Sequence, residues 1–245
     1  MINILIPLAG KNTLFSGSEY VYPKLLIEFL GKTMIEHVIN NFSSIPCEKQ
    51  FIFIVNSDDC KKYHLHNILN LLCTDKCSII KIDKETKGAA CSALMGVEYI
   101  NSDIPLIIAN ADQVFDIDLQ KVIMSFEGFD AGVVTFNSIH PRWSYVRKNK
   151  VGDIVETSEK RPISKDAVAG FYYFKQGKDF CNSAMTMIKK DACIDGRYFI
   201  APSLNEMILK NKKITSFEID IESYHSFYAP NKIKEYERLK LKSEN

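Results

Sequence analysis

The sequence predicts a single α/β domain built on a Rossmann-like, doubly wound sheet that is mixed but mostly parallel. Strand-like apolar runs alternate with stretches of helical spacing over the first 112 residues, which is the order of βαβ units in a parallel sheet. The runs show no alternation of polar and apolar residues, as expected for strands that are covered on both faces. The sequence has no evident linker, repeat or low-complexity tract, so we expect one domain over residues 1–245.

Six apolar runs rich in Ile, Val and Phe are predicted as strands. They span residues 2–9, 50–56, 77–82, 105–112, 131–136 and 169–174. Between the first four runs, apolar residues recur at the spacing of one helix face, which predicts helices at 33–42, 59–72 and 89–100.

The second half of the chain has a different sequence pattern, with shorter predicted elements and more charged residues. Residues 143–160 are predicted to form two short strands around a turn at Lys148–Asp153. Helical spacing predicts helices at about 177–189 and 202–211, and a charged helix at 230–242 that begins at Pro230. We expect this half to complete a site that the first half begins.

Composition excludes several classes of function. The net charge is only +1, from 31 basic and 30 acidic residues, so neither a nucleic acid nor a membrane surface is an expected partner. The N-terminus lacks the basic segment and apolar run of a signal peptide. Seven scattered cysteines without a CxxC pair favour reduced thiols rather than disulfides or zinc ligands. These features together predict a cytoplasmic protein.

Candidate ligand-binding residues follow two of the predicted strands. Leu8, Ala9 and Gly10 end the first strand, where backbone amides can face a phosphate, although a glycine after a strand is often only a turn. Lys24 follows Pro23 and is either a phosphate ligand or a solvated surface residue. Asp112 follows the central strand and suits Mg²⁺ binding, with a turn-capping role as the alternative.

Two further segments are weaker candidates on the sequence alone. Gly88 and Ala89 open a predicted helix, where small residues admit a flat base or sugar, or simply start the helix. A charge run at 156–161 precedes the strand at 169–174. The run either faces an anionic ligand or is a solvated surface.

Taken in order, these segments resemble the nucleotidyltransferases that make activated sugars and related precursors, in particular their capsule-biosynthesis branch. The resemblance covers about residues 2–236 and rests on the series of motifs rather than on any one of them. The motifs are LAG (8–10), PKLL (23–26), KGAA (87–90), ANAD (109–112), EKRPIS (159–164), AGFYYF (169–174), YFIAPSLNEMI (198–208) and YAPNKIKEYE (228–237). The resemblance implies a GT-A-like fold with a nucleotide-binding half at 1–140 and an acceptor-binding half at 141–245.

The resemblance also implies a role for each candidate residue. Lys24 and Asp112 would be catalytic, and Asp112 would hold Mg²⁺ as the cofactor. The position of a second family metal ligand falls near Ser226, a poor Mg²⁺ ligand, with Asp220 as a nearby substitute. The implied nucleotide-binding residues are Leu8, Ala9, Gly10, Lys11, Asn12, Gly88 and Ala89. The implied acceptor-binding residues are Lys160, Arg161, Glu156 and Asn205.

The loop after the first strand departs from the family pattern at two positions. Asn12 stands where the family has a glycine, and asparagine tolerates the positive φ that such a turn requires. Leu14 stands where the family has an arginine that contacts the leaving phosphates, and leucine cannot replace a bidentate donor. Lys11 is close enough in sequence to compensate in part.

The implied reaction is attack of an acceptor phosphate on the α-phosphate of a nucleoside triphosphate, with release of pyrophosphate. The expected partners are the triphosphate, with CTP favoured, and a phosphorylated small-molecule acceptor; a homodimer is left open. A non-catalytic protein that binds a nucleotide or sugar phosphate is an alternative that Leu14 and Ser226 favour. A nucleotide-sugar-dependent glycosyltransferase is another, because Asp116 and Asp118 form a D-x-D motif.

Overall fold

A mixed sheet of nine strands forms the centre of the computed structural model, which describes residues 1–10, 13–15 and 22–243. Four further short strands form two separate two-stranded ribbons. The strands are β1 Ile2–Pro7, β2 Glu28–Phe29, β3 Lys32–Thr33, β4 Lys49–Asn56, β5 Lys76–Ile82, β6 Leu106–Ala109, β7 Gln113–Phe115, β8 Ala131–Asn137, β9 Ser144–Lys148, β10 Ile154–Glu159, β11 Asp166–Phe174, β12 Ile214–Glu218 and β13 Tyr224–Ser226.

The helices flank this sheet and connect its parallel strands. They are α1 Met34–Ser43, α2 Ser57–Tyr63, α3 Leu65–Leu72, α4 Ala89–Leu94, α5 Val97–Ile100, α6 Leu119–Ser125, α7 Gly177–Lys189, α8 Ile200–Ile208 and α9 Pro230–Ser243. Among the described residues, no helix is long and apolar enough to cross a membrane.

The order of the strands confirms the predicted α/β fold. The sheet runs β10-β9-β11-β6-β1-β4-β5, and β5, β4, β1 and β6 are mutually parallel. β11 enters antiparallel beside β6 and also pairs with β8 and β9, so strands from residues 131–174 extend the same sheet. β12 returns parallel to β8. The sheet is therefore continuous through both parts of the chain.

The central strands are buried on both faces, which is why they lack polar alternation. In β1, Ile4 and Ile6 pack into the core on one face, while Leu5 packs into the core on the other. All three side chains are fully buried. A parallel strand covered by helices on each side requires this composition.

Several predicted elements have different bounds in the structure. The helix predicted at 59–72 is two helices, α2 and α3, because His64 between them adopts a left-handed conformation with φ of +52°. The helix predicted at 89–100 is likewise divided into α4 and α5 at Gly96. The strand predicted at 105–112 ends at Ala109, which leaves residues 110–112 in a turn.

Four regular features were missed by the sequence reasoning. They are the ribbon β2–β3, the helix α6, the strand β12 and the ribbon β7–β13. The ribbon β7–β13 matters most for function, because it begins one residue after Asp112.

Candidate active site

Lys24 and Asp112 form the centre of the candidate site. Asp112 lies in the turn between β6 and β7, and Lys24 lies in a short 3₁₀ turn directly after Pro23. The Lys24 Nζ atom is 2.5 Å from Asp112 Oδ2. Lys24 is only 4% exposed, and a buried ammonium requires an anionic partner of this kind. The structure thus brings together two candidate residues that are 88 positions apart in sequence.

The pair opens into a cavity of about 150 Å³ at the carboxyl ends of the central strands. This is where open α/β sheets bind ligands. The predicted residues Leu8, Gly10 and Ala89 share the wall of this cavity with Lys24 and Asp112. Ala9 is buried among apolar side chains on one face of the sheet instead. The cavity therefore gathers residues from the ends of β1 and β6 and the start of α4.

Gln113, next to Asp112, ties the turn to strands from the second half of the chain. Its side chain is fully buried and donates through Nε2 to the carbonyl of Gly170 at 2.9 Å. The Tyr224 hydroxyl donates to Gln113 Oε1 at 3.0 Å. Burial first, and the nearby Asp112 charge second, raise the pKa of Tyr224, so its hydroxyl remains a donor. These bonds fix the backbone that presents Asp112.

Gly170 shows why the turn can approach β11 so closely. Its φ of +63° is left-handed, and a Cβ atom there would lie 2.1 Å from Asn110 Nδ2. The backbone N–H of Asn110 donates to the Gly170 carbonyl at 3.1 Å. Only glycine allows this contact without moving the turn.

Gly88 has a structural role in addition to its predicted ligand role. A Cβ atom at this position would lie 2.4 Å from the carbonyl oxygen of Tyr198, and its φ is +111°. Hydrogen bonds on either side hold the two segments together, from Tyr198 N to Lys87 O at 2.7 Å and from Ala90 N to Tyr198 O at 3.0 Å. Gly88 therefore packs the start of α4 against the segment before α8.

The residues present fit a Mg²⁺ ion that is shared with a substrate. Among the described residues, no group of three or more His, Cys, Asp or Glu side chains could hold a metal. Asp112 supplies one carboxylate, and Mg²⁺ commonly binds one or two carboxylates together with substrate phosphates and water. The Lys24 ammonium pairs with this carboxylate, so a Mg²⁺ ion bound there would replace it as the partner of Asp112.

The two residues considered for a second metal position lie in different places. Ser226 in β13 is opposite Gln113, and the amide of the next residue, Phe227, donates to the Asp112 carbonyl at 2.7 Å. Asp220 is exposed and lines a separate depression with Phe217 and Ser223. The structure thus brings Ser226, but not Asp220, next to the Asp112 turn.

The structure pairs two of the predicted acceptor residues, Glu156 and Arg161, and gives Lys160 and Asn205 other partners. Lys160 Nζ is 3.3 Å from Asp195 Oδ2 and 5.2 Å from the centre of the Phe199 ring. Glu156 lies between two guanidinium groups, those of Arg147 and Arg161. Glu156 is therefore engaged by both arginines, and these three side chains keep a net positive charge on the surface of β10.

Asn205 has a structural function that the sequence does not indicate. Its Oδ1 accepts from Thr157 N at 2.8 Å, and its Nδ2 donates to Thr157 O at 3.0 Å. The side chain therefore continues the ladder of β10, an edge strand, and satisfies backbone groups that would otherwise be unpaired. Acceptor binding by Asn205 stays a prediction.

A hydrogen-bonded group near Lys160 was not singled out as a site by the sequence reasoning. The Ser144 hydroxyl donates to Glu159 Oε2, and the Tyr172 hydroxyl lies 3.4 Å from Ser144 Oγ. Burial raises the pKa of Glu159 and also that of Tyr172. A half-buried carboxylate with a polar relay is a frequent feature of functional sites. Its members come from β9, β10 and β11, so no spacing in the sequence could reveal it.

The loop after β1 is described only in part. Lys11 and Asn12 lie outside the described residues. Leu14 is 61% exposed, whereas its neighbour Phe15 is buried and lies 5.0 Å from Lys24 Nζ, measured to the ring centre. Leu14 therefore does not serve to fill the core.

Solved structures with the same fold cover nearly the whole chain. A nucleoside-diphosphate-sugar pyrophosphorylase from Vibrio cholerae RC9 superposes with a TM-score of 0.85 at 23% identity, covering 96% of this chain and 99% of that one. A UDP-glucose pyrophosphorylase in complex with UDP-glucose gives 0.78 at 18% identity, covering 99% and 100%. The inositol-1-phosphate CTP transferase from T. maritima gives 0.77 at 14% identity, covering 98% and 94%. At these identities the likeness shows the fold.

Sequence comparison identifies the family of the chain. Bifunctional GlmU proteins of Buchnera aphidicola are 28% identical over 199 residues, which cover 78% of this chain. The chain spans about 40% of the length of these relatives. The model of the nucleotidyl transferase family matches residues 14–195, which is well over half of the chain. The protein therefore belongs to the nucleotidyl transferase family, as the order of its motifs predicted.

Proposed function

We propose that this protein transfers a nucleoside monophosphate to a phosphorylated small-molecule acceptor and releases pyrophosphate. CMP from CTP is the favoured donor group, and phosphoglutamine, for capsule phosphoramidate synthesis, is the favoured acceptor. The donor and acceptor rest on the resemblance of the motifs to the capsule-biosynthesis branch. The transfer itself is supported chiefly by one observation, the ion pair of buried Lys24 with half-buried Asp112 at the carboxyl ends of the parallel strands.

In the proposed reaction an acceptor phosphate oxygen forms a new bond to the α-phosphorus of the triphosphate. The bond from that phosphorus to the bridging oxygen breaks, and the electron pair leaves with pyrophosphate. A phosphate dianion needs no general base, so the protein must position two anions and neutralise their charge. Mg²⁺ bound at Asp112 would supply charge neutralisation at phosphate oxygens.

The chain's own residues divide this task between them. Lys24, held in the cavity by burial, would place its ammonium against the charge that develops during transfer. The backbone at Gly10 and Ala89 lines the same cavity and suits contact with the nucleotide. Gln113 and Tyr224 would keep the Asp112 turn fixed while its carboxylate changes partners.

The glycosyltransferase alternative receives little support from its D-x-D motif. The Asp116 carboxylate is bound to His225 Nε2 at 2.9 Å and to Lys240 Nζ at 2.7 Å. The Asp118 carboxylate caps α6 by accepting from Gln120 N at 3.0 Å. Both acids therefore have structural roles, whereas Asp112 faces a cavity.

The test is a pyrophosphate-release assay with CTP, UTP, ATP and GTP against a panel of phosphorylated acceptors that includes phosphoglutamine. We expect one triphosphate to be turned over only when an acceptor is present. Asp112→Asn should abolish this turnover, while the matched variant Asp118→Asn should retain it after correction for any loss of stability. If none of the four triphosphates yields pyrophosphate although nucleotide binding is measurable, the result would favour the non-catalytic alternative.

A further inference from the structure

A second cavity, of about 600 Å³, lies between the segment before β9, the strand β13 and the helix α9. This volume is typical of sites for small molecules. Aromatic side chains form much of its wall, among them Trp143, Tyr224, Tyr228 and Tyr236. Lys160, Arg161, Glu156 and Asn205 do not contribute to this wall.

Arg142 is the distinctive group in this cavity. Its guanidinium carbon lies 3.7 Å from the centre of the Tyr228 ring and 5.7 Å from the centre of the Trp143 ring. Trp143 is itself fixed by edge contacts to Phe136 and Tyr224, with ring centres 5.4 and 5.9 Å away. A guanidinium stacked on an aromatic face keeps its N–H groups directed outward in its own plane.

Arg142 differs from Lys232, the other Lys or Arg side chain of the wall, in its lack of an acidic partner. Lys232 donates to Glu235 Oε2 at 2.6 Å, and His225 is bound to Asp116. No described carboxylate lies within ion-pair distance of Arg142. The exposed Glu222 is on the same wall and does not pair with it. The guanidinium therefore has the donors for an anionic group that comes from outside the chain.

The cavity adjoins the turn that carries Asp112. Ser226 lines the cavity and is paired with Gln113, which follows Asp112 directly. The Phe227 amide, also on the wall, donates to the Asp112 carbonyl at 2.7 Å. Paired strands lie about 5 Å apart, so this wall of the cavity is one strand away from the turn that carries Asp112.

We propose that this cavity holds the part of the acceptor that is remote from its reacting phosphate, and that Arg142 there binds a second anionic group. The group is a carboxylate or a second phosphate, since both match the two parallel N–H donors of a guanidinium. This inference rests on the proposed function for the identity of the ligand as an acceptor. It assigns selection of the acceptor to Arg142 in this cavity, not to the charge run at 156–161.

The single tryptophan of the chain makes binding measurable without turnover. Trp143 is that residue and lies beside Arg142, so its fluorescence should report on ligands in this cavity. The probes are two pairs that differ by one anionic group. One pair is 3-phosphoglycerate and glycerol 3-phosphate; the other is fructose 1,6-bisphosphate and fructose 6-phosphate.

We expect the wild type to bind the more anionic member of at least one pair about 10-fold more tightly or better, which corresponds to about 1.4 kcal/mol or more. The pair that shows the difference identifies the group as carboxylate or phosphate. Arg142→Gln should remove the difference, while Arg238→Gln, an exposed arginine on α9 away from the cavity wall, should preserve it.

A wild type that does not discriminate within either pair, or an Arg142→Gln variant that still does, would overturn the proposal. These outcomes are distinct from failure of the proposed function. If no triphosphate is turned over but Arg142-dependent discrimination persists, the anion site stands and the transfer reaction does not.

Discussion

One methyl group added at position 88 should destabilise the protein and weaken its binding of nucleotide. In Gly88→Ala the new Cβ would lie 2.4 Å from Tyr198 O and 2.8 Å from Tyr198 N. Backbone atoms of a hydrogen-bonded segment cannot turn aside as a flexible side chain can. The backbone at Gly88, with φ of 111° and ψ of 173°, is also in a region that is almost confined to glycine.

Two terms contribute to the expected loss of stability. Backbone strain in this region costs about 1–3 kcal/mol, and overpacking costs about another 1–3 kcal/mol. A chain of this length loses about 2–4 °C in Tm for each kcal/mol. We therefore expect the Tm of Gly88→Ala to be lower than that of the wild type by on the order of 10 °C.

Gly152→Ala is the matched control, because it separates strain from steric clash. Gly152 has a φ of +95°, but a Cβ atom there would meet nothing within 4 Å. It should show only the strain term in urea or thermal unfolding. If Gly88→Ala lowers the free energy of unfolding no more than Gly152→Ala does, the steric clash with Tyr198 is refuted. If Gly88 also frames the nucleotide, only Gly88→Ala should raise KM for the triphosphate.

Three further changes test individual charges, two at the candidate site and one at the structural carboxylate of Asp116. Lys24→Met should lower kcat about 100-fold or more. Because it frees the Asp112 carboxylate, it should also strengthen Mn²⁺ binding in the absence of nucleotide, measured by electron paramagnetic resonance; an unchanged Mn²⁺ affinity would contradict the ion pair of Lys24 with Asp112. Hydrogen bonding to His225 lowers the pKa of Asp116 to about 2, so its stabilisation is present above the unfolded pKa of about 4 and is lost as pH falls towards 2. The stability gap between wild type and Asp116→Asn, from urea unfolding, should therefore narrow over that range, and a constant gap would argue against the shift. Leu14→Arg should raise kcat without loss of Tm, because the leucine is exposed; a fall in activity would show that the leucine has a role of its own.

The fold was predictable because its signals are local and repeated. Strands such as β1 and β4 are continuous apolar runs, and α1 begins at Thr33, whose hydroxyl accepts from Glu36 N at 3.3 Å. Each signal lies within a few residues of the element that it predicts. The left-handed break at His64 has no comparable local signal, since histidine is neither a glycine nor a proline.

The ribbon β7–β13 was not predictable, because its sequence signals are neither local nor repeated. Each strand has only three residues, and they are separated by more than 100 positions. Gln113 is fully buried although it is polar, because Gly170 and Tyr224 satisfy its amide. A pattern of apolar spacing cannot detect a polar side chain whose partners lie elsewhere in the chain.

The candidate acceptor residues are a second case in which the sequence does not show the partners of a polar side chain. Glu156, Arg161 and Asn205 are polar residues that follow a family pattern, and polarity alone does not tell whether a side chain has donors to spare. The structure shows the amide of Asn205 engaged by Thr157 and the carboxylate of Glu156 engaged by two arginines.

The anomaly at Leu14 is best understood through the state of Lys24. Without ligands, the Lys24 ammonium is neutralised by Asp112, and the pair adds no net charge to the cavity. Under the proposed function, a Mg²⁺ ion would take over the Asp112 carboxylate, and the charge of the Lys24 ammonium would then be available to the phosphates. The cavity would thus gain net positive charge only when it is loaded, whereas an arginine at position 14 would supply positive charge permanently. Lys24 is the only Lys or Arg among the described residues that line the cavity, so we expect the effect of removing it to be correspondingly large.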